Sequence, residues 1–188
     1  MRRFSCGTSR SLFVVIALVG AITAPASGQT ASELLDSAEA VAEAEAFDRA
    51  DYSWTLQTLH GEKVSLAQYA GKVLFMNIWA TWCAPCIEEL RTVAALRDSL
   101  SNTDVEFLLV SPEEPRHVRR FLRRFRHHRH LPVLVEYHRM PGVFELEAVP
   151  TSYIFDRSGR IVLKLRGTTN WDTAEARNLL RALAAESP

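Results

Sequence analysis

Cysteine is scarce in this sequence: only three occur, at positions 6, 83 and 86 of 188 residues. So few cysteines exclude a small secreted scaffold held together by disulfides, because such scaffolds are dense in cysteine. Net charge is absent as well, with 22 basic and 22 acidic side chains, which argues against a role in binding nucleic acid. The 47% apolar content is nevertheless enough for the packed core of one ordinary domain.

Residues 1–28 have the features of an export signal. Their only charged residues are three arginines at positions 2, 3 and 10, and an apolar stretch, Leu12–Thr23, leads into small residues. This order is typical of a signal peptide cleaved near Ala26 or Gly28. An uncleaved membrane anchor is the alternative, because no further charge occurs before Glu33, although the stretch falls short of the roughly 20 residues of a spanning helix. In both cases we expect the domain in the periplasm or on the outer face of the cytoplasmic membrane.

The next segment, residues 29–47, is rich in alanine and glutamate and has no basic residue. We interpret it as an acidic linker that is exposed to solvent. A short helix is the alternative, because Thr30 and Glu33 have the spacing of a capping box. Residues 48–188 are then expected to form a single folded domain.

Apolar strands alternate with amphipathic helices from Tyr52 onward. The sequence predicts a hairpin of strands 54–57 and 63–66, strands at 73–79 and 105–110, a second hairpin of strands 152–155 and 161–165, and helices at 88–100, 118–125 and 173–183. This alternation indicates an α/β fold in which the first crossovers pair strands in parallel.

Two cysteines remain after the export signal, and they stand in the motif Trp82-Cys83-Ala84-Pro85-Cys86. A disulfide that closes so small a loop constrains little of the unfolded chain, so reactivity explains the pair better than stability. Because the predicted strand 73–79 leads straight into the motif, Cys83 should lie at the N-terminus of the next helix, with Cys86 one turn inside. Unpaired N–H groups and the helix dipole favour a thiolate there. We therefore predict that Cys83 is the nucleophile and Cys86 the resolving thiol.

A zinc site is the alternative for this pair, because half of such a site has the same spacing. Zinc needs further ligands, and the chain has no second cysteine pair. The histidines at 127–130 stand among arginines and are separated from the cysteines by a predicted strand and helix. We therefore expect no metal, and no cofactor other than the redox-active Cys83–Cys86 disulfide itself.

Three motifs, taken in order, resemble one known family. They are the segment Phe75–Cys86, the approach to it at 59–73, and Val149–Gly159, which begins with Val-Pro-Thr. Together they look like the membrane-tethered or periplasmic thioredoxins of the TlpA/ResA-like thiol-disulfide oxidoreductase family. The resemblance implies a thioredoxin fold: a central mixed sheet flanked by helices, with a hairpin-like extension at the N-terminus and an inserted segment around the third helix.

The resemblance also assigns residues around the cysteines. Pro150 matches a cis-proline that lies across from the active cysteines and turns the Val149 backbone toward a substrate chain, which would add as a strand. Without the motif, an ordinary trans-proline is the alternative. Trp82 is interpreted as flanking the thiol. The residues expected to contact substrate are Trp82, Ala84, Pro85, Val149, Pro150 and Thr151.

Glu89 matches an acid near the thiols of ResA-like proteins. Partly buried below the cysteines, it would have a raised pKa and would take the proton of Cys86. A surface glutamate is the alternative, and the neighbouring Glu88 is interpreted as one. Asn77 stands where thioredoxin has a buried acid, which leaves Glu89 as the only local base. The chain departs from the family pattern at Arg91, where the family has a helix-kinking proline, and at Ala148, where it has glycine.

Arginine is concentrated in the segment Arg116–Arg129, together with histidines. Its apolar residues recur with helical spacing, which places the arginines on the opposite face of a helix. We interpret this face as exposed to solvent. Weak docking to anionic lipid or to an acidic partner is the alternative.

Taken with the resemblance, these observations predict an extracytoplasmic reductant of disulfides in exported proteins, for example apocytochromes, with a membrane partner as electron donor and no nucleic-acid partner. The direction of electron flow depends on Ala84-Pro85 and on thiolate stabilisation, so an oxidant or an isomerase stays open. A non-enzymatic binding domain on the same fold is a further alternative. Peroxide reduction is disfavoured, because no cysteine stands in the Thr-x-x-Cys context of peroxiredoxins.

Overall fold

A computed structural model describes residues 49–125, 128, 130–144 and 148–186. The predicted export signal and the predicted linker lie outside these residues, so the division of the chain into segments stays a prediction. Within the described residues, no helix combines the length and the apolar character that crossing a bilayer requires.

Strands and helices alternate along the described chain. The strands are β1 (Thr55–Gln57), β2 (Lys63–Ser65), β3 (Val73–Ile78), β4 (Val105–Ser111), β5 (Val133–Glu136), β6 (Thr151–Phe155) and β7 (Ile161–Arg166). The α-helices are α1 (Ala84–Ser99), α2 (Pro115–Arg124) and α3 (Ala174–Ala185). Short 3-10 helices occur at Leu66–Tyr69 and Gly142–Phe144.

One mixed sheet contains the seven strands, in the order β2-β1-β5-β4-β3-β6-β7. Strands β3, β4 and β5 run parallel to one another, whereas the other neighbours are antiparallel. Parallel neighbours need crossover connections, and α1 and α2 lie in those connections. The predicted α/β fold, with a mixed central sheet, flanking helices and an N-terminal hairpin, is confirmed.

Strand β3 is buried on both faces, which explains its nearly continuous apolar sequence. Its alternate residues face two cores: Phe75 packs with α1 and α3, and Met76 packs on the opposite face of the sheet. Helix α1 contributes Leu90, Val93 and Leu96 to the first core, and burying each side chain stabilises the fold by about 1.5–3 kcal/mol relative to exposure. This packing fixes the position of the N-terminus of α1 against the sheet.

Strand β5 is missing from the sequence prediction. Its four residues follow Pro132 and are mostly apolar without alternation, because the strand is buried on both faces. So short an apolar run does not distinguish a strand from a segment of buried helix. The structure pairs β5 in parallel with β4, with Leu109 opposite Val133.

The carboxyl ends of β3 and β4 meet at one edge of the sheet. The chain leaves β3 there through residues 79–82, and the Trp79 N–H donates to the Val110 carbonyl at 3.0 Å. Helix α1 begins two residues beyond this short connection. Both cysteines of the motif therefore lie at this edge.

Candidate active site

Cys83 is the N-cap residue of α1, as the sequence predicts. Its sulfur accepts a hydrogen bond from the Cys86 backbone N–H at 3.2 Å, so one of the unpaired N–H groups at the start of the helix already points at the sulfur. Pro85 lies in the first turn, where its missing N–H costs nothing. The two cysteines form a disulfide with their Cα atoms 5.3 Å apart.

The two sulfurs differ in their access to solvent. Cys83 is 5% exposed, whereas Cys86 is fully buried in the core between α1 and the sheet. The surface beside Cys83 is formed by exposed residues of its own motif, with Trp82 at 71% exposure and both Ala84 and Pro85 exposed. A protein substrate that approaches this surface meets Cys83 before Cys86.

A second loop lies against the Cys83 sulfur. The Val149–Pro150 peptide bond is cis, as the resemblance implies. The Val149 carbonyl lies 3.7 Å from the Cys83 sulfur, so the loop and the motif meet at one place. Thr151 follows this loop as the first residue of β6, but its side chain is buried and its hydroxyl donates to the Ala148 carbonyl at 2.7 Å. Its side chain therefore does not share the exposed surface of Trp82.

Glu89 is buried rather than exposed, with only 2% of its surface accessible, whereas Glu88 is exposed as expected. Three N–H groups donate to its carboxylate. Oε1 accepts from the Thr169 backbone at 3.1 Å and from the Trp171 indole at 3.0 Å, and Oε2 accepts from the Asn77 amide at 3.1 Å. The surface-glutamate alternative is therefore wrong for Glu89.

Burial sets the protonation of this carboxyl. Desolvation raises the pKa of Glu89 from 4.5 to about 7, although the hydrogen bonds from Thr169, Trp171 and Asn77 favour the charged form and lower it. Glu89 lies three residues beyond Cys86 in α1, on the same face of the helix. A carboxyl with a pKa of about 7 therefore lies on the helix face that contains Cys86.

Sequence reasoning missed most of the partners of Glu89. Trp171 is buried, as a packing residue would be, but its indole also donates to the carboxylate. Ser152 lies directly opposite Asn77 on β6 and accepts from the same amide at 2.9 Å. The one available signal was Asn77 itself, because an amide within an otherwise apolar buried strand needs a polar partner.

Glu113 was also missed, and it holds the connection that precedes the cysteines. Its carboxylate accepts from the Thr81 backbone N–H at 2.6 Å and from the Thr81 hydroxyl at 2.7 Å. The Ser111 hydroxyl at the end of β4 donates to the same carboxylate at 3.2 Å. These contacts tie the end of β4 to the residue before Trp82, which restricts the approach to the motif.

The arginine face of α2 is exposed, which both the solvated interpretation and the docking alternative predict. Its described members are Arg116, Arg119, Arg120, Arg123 and Arg124. Arg116 pairs with Glu114 at 2.7 Å, and Arg119 donates to the Leu59 carbonyl at 3.0 Å. Arg126, His127 and Arg129 lie outside the described residues. In the part of the chain that the structure describes, no group of three or more histidine, cysteine, aspartate or glutamate side chains is placed to hold a metal ion.

Comparison with known proteins supports the resemblance. A model of the AhpC/TSA family matches residues 48–164. Thiol-disulfide oxidoreductase ResA of Bacillus cereus (strain ZK / E33L) is 28% identical over 117 residues, which cover 61% of this chain and 66% of that protein. Thioredoxin-like protein YneN of Bacillus subtilis (strain 168) is 33% identical over 112 residues, which cover 57% of this chain and 64% of that protein. The matched region spans about two thirds of the length of these relatives.

Solved structures give the same fold. A thiol:disulfide interchange protein of the thioredoxin family from Chlorobium tepidum TLS has a TM-score of 0.59 and covers 71% of this chain and 94% of that chain. At 21% identity this likeness shows the fold alone. The predicted thioredoxin fold and the resemblance to ResA-like proteins are confirmed. Because the family model matches more than half of the residues, this chain belongs to the AhpC/TSA family.

Proposed function

We propose that this protein is an extracytoplasmic thiol-disulfide oxidoreductase that reduces disulfides in exported proteins. One observation carries the proposal: the Cys83 sulfur caps α1, accepts the Cys86 N–H, and lies against the cis Val149–Pro150 loop. Partial positive charge at a helix N-terminus stabilises a thiolate and makes it a better nucleophile at neutral pH. The names of the curated relatives agree with this chemistry.

In the first step the Cys83 thiolate attacks one sulfur of a substrate disulfide. A bond forms between Cys83 and that sulfur, the substrate disulfide breaks, and the second substrate sulfur leaves as a thiolate. Cys83 suits this role because it is the outer of the two cysteines, next to the exposed Trp82. The substrate backbone would lie along the Val149 carbonyl, with Trp82, Ala84 and Pro85 flanking the sulfur and Thr151 supporting the loop from inside.

In the second step Cys86 resolves the mixed disulfide. Its thiol gives its proton to the Glu89 carboxylate, and the resulting thiolate attacks the Cys83 sulfur. The Cys83–Cys86 bond forms, the mixed disulfide breaks, and the remaining substrate sulfur leaves as a thiolate. Two electrons have then passed to the substrate, and the protein is left in the oxidised state of this structure. No cofactor is required, because both electrons come from the two sulfurs.

Location and partners follow from this chemistry and from the N-terminus. The features of residues 1–28 support export, with the domain in the periplasm or on the outer face of the cytoplasmic membrane. A protein outside the cytosolic thiol pool needs a supply of electrons, so a dithiol on a membrane protein is the proposed donor. Disulfide-containing proteins such as apocytochromes are the proposed acceptors.

Substitution of each cysteine separates the two steps. With dithiothreitol as electron source, Cys83→Ala should lower the rate of insulin disulfide reduction to that of dithiothreitol alone, because no nucleophile is left. Cys86→Ala that has been reduced, freed of dithiothreitol and mixed with insulin should still attack but stall as a mixed disulfide that is visible on a non-reducing gel. Cys6→Ala is the matched control and should keep the wild-type rate. Insulin reduction by Cys83→Ala at the wild-type rate would contradict the role of Cys83, and unaltered cellular activity of this variant would instead support a binding domain that does not use its cysteines.

Equilibration with glutathione tests the direction of electron flow. A reductant should have a reduction potential near that of thioredoxin, about −270 mV. A value as high as about −120 mV is that of a strong oxidant and would contradict the proposed reductase, leaving the oxidant alternative. The fraction of oxidised protein at each glutathione ratio can be read by trapping free thiols with a mass label.

The pH dependence of stability tests the buried carboxyl. In the unfolded chain Glu89 releases its proton near pH 4.5, but in the folded chain it does so near 7, so the free energy of unfolding falls as the pH rises between these values. The shift corresponds to a loss of about 3 kcal/mol. In urea unfolding of the oxidised protein at pH 4 and pH 8, Glu89→Gln should lack this loss, whereas the exposed Glu88→Gln should retain it. Parallel pH profiles of the wild type and Glu89→Gln would contradict the raised pKa.

A further inference from the structure

The buried carboxyl of Glu89 is surrounded by donors only. All three groups in hydrogen-bond contact with it are N–H groups, from Thr169, Trp171 and Asn77. This arrangement suits an ionised carboxylate, which only accepts hydrogen bonds. A protonated carboxyl has an O–H group that must donate, and in the contacts of this structure it has no acceptor. When Glu89 is protonated, some neighbour must therefore change.

Of the three donors, Asn77 is the one that can change, because the Thr169 backbone N–H and the Trp171 indole N–H have no acceptor atom to put in their place. Its Nδ2 donates both to Glu89 Oε2 at 3.1 Å and to the Ser152 hydroxyl oxygen at 2.9 Å. At the other end of the amide, Oδ1 is buried and has no hydrogen-bond partner among the described residues. The amide oxygen and nitrogen are nearly identical in size, so rotation of the amide by half a turn exchanges them without a change of shape.

Neither orientation of the amide is favoured at its unpartnered end. At the end of the amide that faces away from Glu89, an oxygen lacks a donor and a nitrogen would lack an acceptor. The contacts with Glu89 and Ser152 at the other end therefore determine the orientation of the amide. The Ser152 hydroxyl fits both orientations, because it accepts from Nδ2 in one and donates to Oδ1 in the other. Ser152 and Asn77 lie directly opposite each other on β6 and β3, which holds this contact in place. The protonation state of Glu89 therefore determines the orientation of the Asn77 amide.

We propose that the Asn77 amide is a two-position switch that turns as Glu89 gains or loses its proton. With Glu89 ionised, Nδ2 faces the carboxylate, as in this structure. With Glu89 protonated, Oδ1 faces it and accepts both the Glu89 O–H and the Ser152 O–H. Asn77 and Ser152 are then positioning residues, because they hold the Glu89 carboxyl in both protonation states while it takes the proton of Cys86. This role rests on the proposed function.

Among the described residues in contact with Glu89, no charged group could turn the Asn77 amide in place of the Glu89 proton. From β3 it faces Asn77, behind which lies Ser152 of β6, and from the loop before α3 it faces the Thr169 backbone and the Trp171 indole. On its own helix, Cys86 lies one turn earlier on the same face, and it does not titrate while it is in the disulfide. The nearby charged residues Glu88, Arg91 and Asp172 are exposed at the surface. In the oxidised protein, the proton of Glu89 is therefore the variable that acts on the amide.

Nuclear magnetic resonance on the oxidised full chain tests the switch directly. The carboxyl carbon of Glu89 reports its titration, and the Asn77 side-chain NH₂ protons report the orientation of the amide. Above the titration midpoint the NH₂ protons should show a nuclear Overhauser contact with the Ser152 Hβ protons. Below the midpoint this contact should be lost, with the same midpoint as the Glu89 carbon. Retention of the contact through a complete Glu89 titration would overturn the proposal.

Glu89→Gln provides a second measurement. Its side-chain oxygen would accept from Thr169 and Trp171, so its NH₂ group would face Asn77 and require Oδ1 there. The Overhauser contact between the Asn77 NH₂ protons and the Ser152 Hβ protons should therefore be absent at every pH in this variant, and its presence would count against the switch. If this variant does not fold, the comparison of the wild type above and below the Glu89 titration midpoint still tests the switch. Glu88→Gln should behave as the wild type.

The same wild-type sample separates this inference from the proposed function. Reduction of insulin disulfides together with an amide that never turns would overturn the switch and leave the oxidoreductase intact. An amide that turns in a protein without disulfide-reducing activity would overturn the proposed function and leave the switch.

Discussion

The hydrogen bond from the Cys86 amide to the Cys83 sulfur is the interaction on which the site depends. It exists because α1 begins directly after Cys83, and α1 begins there because its apolar face is packed against β3. Had the helix started a turn later, the sulfur would stand in a loop without unpaired N–H groups to stabilise its charge. The reactivity of one atom is thus set by the packing of a whole helix.

A second constraint is the burial of a carboxyl inside the same core. Glu89 belongs to α1 and makes contact with β3 and with the loop before α3, so three parts of the chain form its environment. Burial makes the ionised form costly, whereas the donated N–H groups make it tolerable, and the balance places its pKa near neutral pH. Such a balance suits the proposed exchange of a proton with Cys86, because neither protonation state of the carboxyl is strongly disfavoured near neutral pH. In the proposed reaction, the outer sulfur attacks the substrate, and the inner sulfur and the carboxyl complete the reaction.

Local patterns in the sequence were enough to predict the centre of the fold. The apolar run Val73–Trp79, followed by the cysteine motif, predicted the strand, the helix and the position of Cys83 at its N-terminus. Strand β5 was not predictable, because four apolar residues after a proline have no period of their own. The contacts of Glu89 with Thr169 and Trp171 join residues about 80 positions apart, and no local pattern encodes such a contact. The resemblance implied a partly buried Glu89, but the partners of its carboxylate emerged only from the folded chain.

The pH dependence of alkylation of Cys83 in the reduced protein tests the central claim most directly. Iodoacetamide reacts with the thiolate, so its rate of reaction with Cys83 follows the ionisation of the sulfur. A sulfur at the N-terminus of α1 should ionise with a midpoint clearly below about 8.5, the value for an unperturbed thiol. A midpoint at or above that value would show that the helix does not stabilise the thiolate, and it would contradict the role of Cys83 as a nucleophile activated by α1.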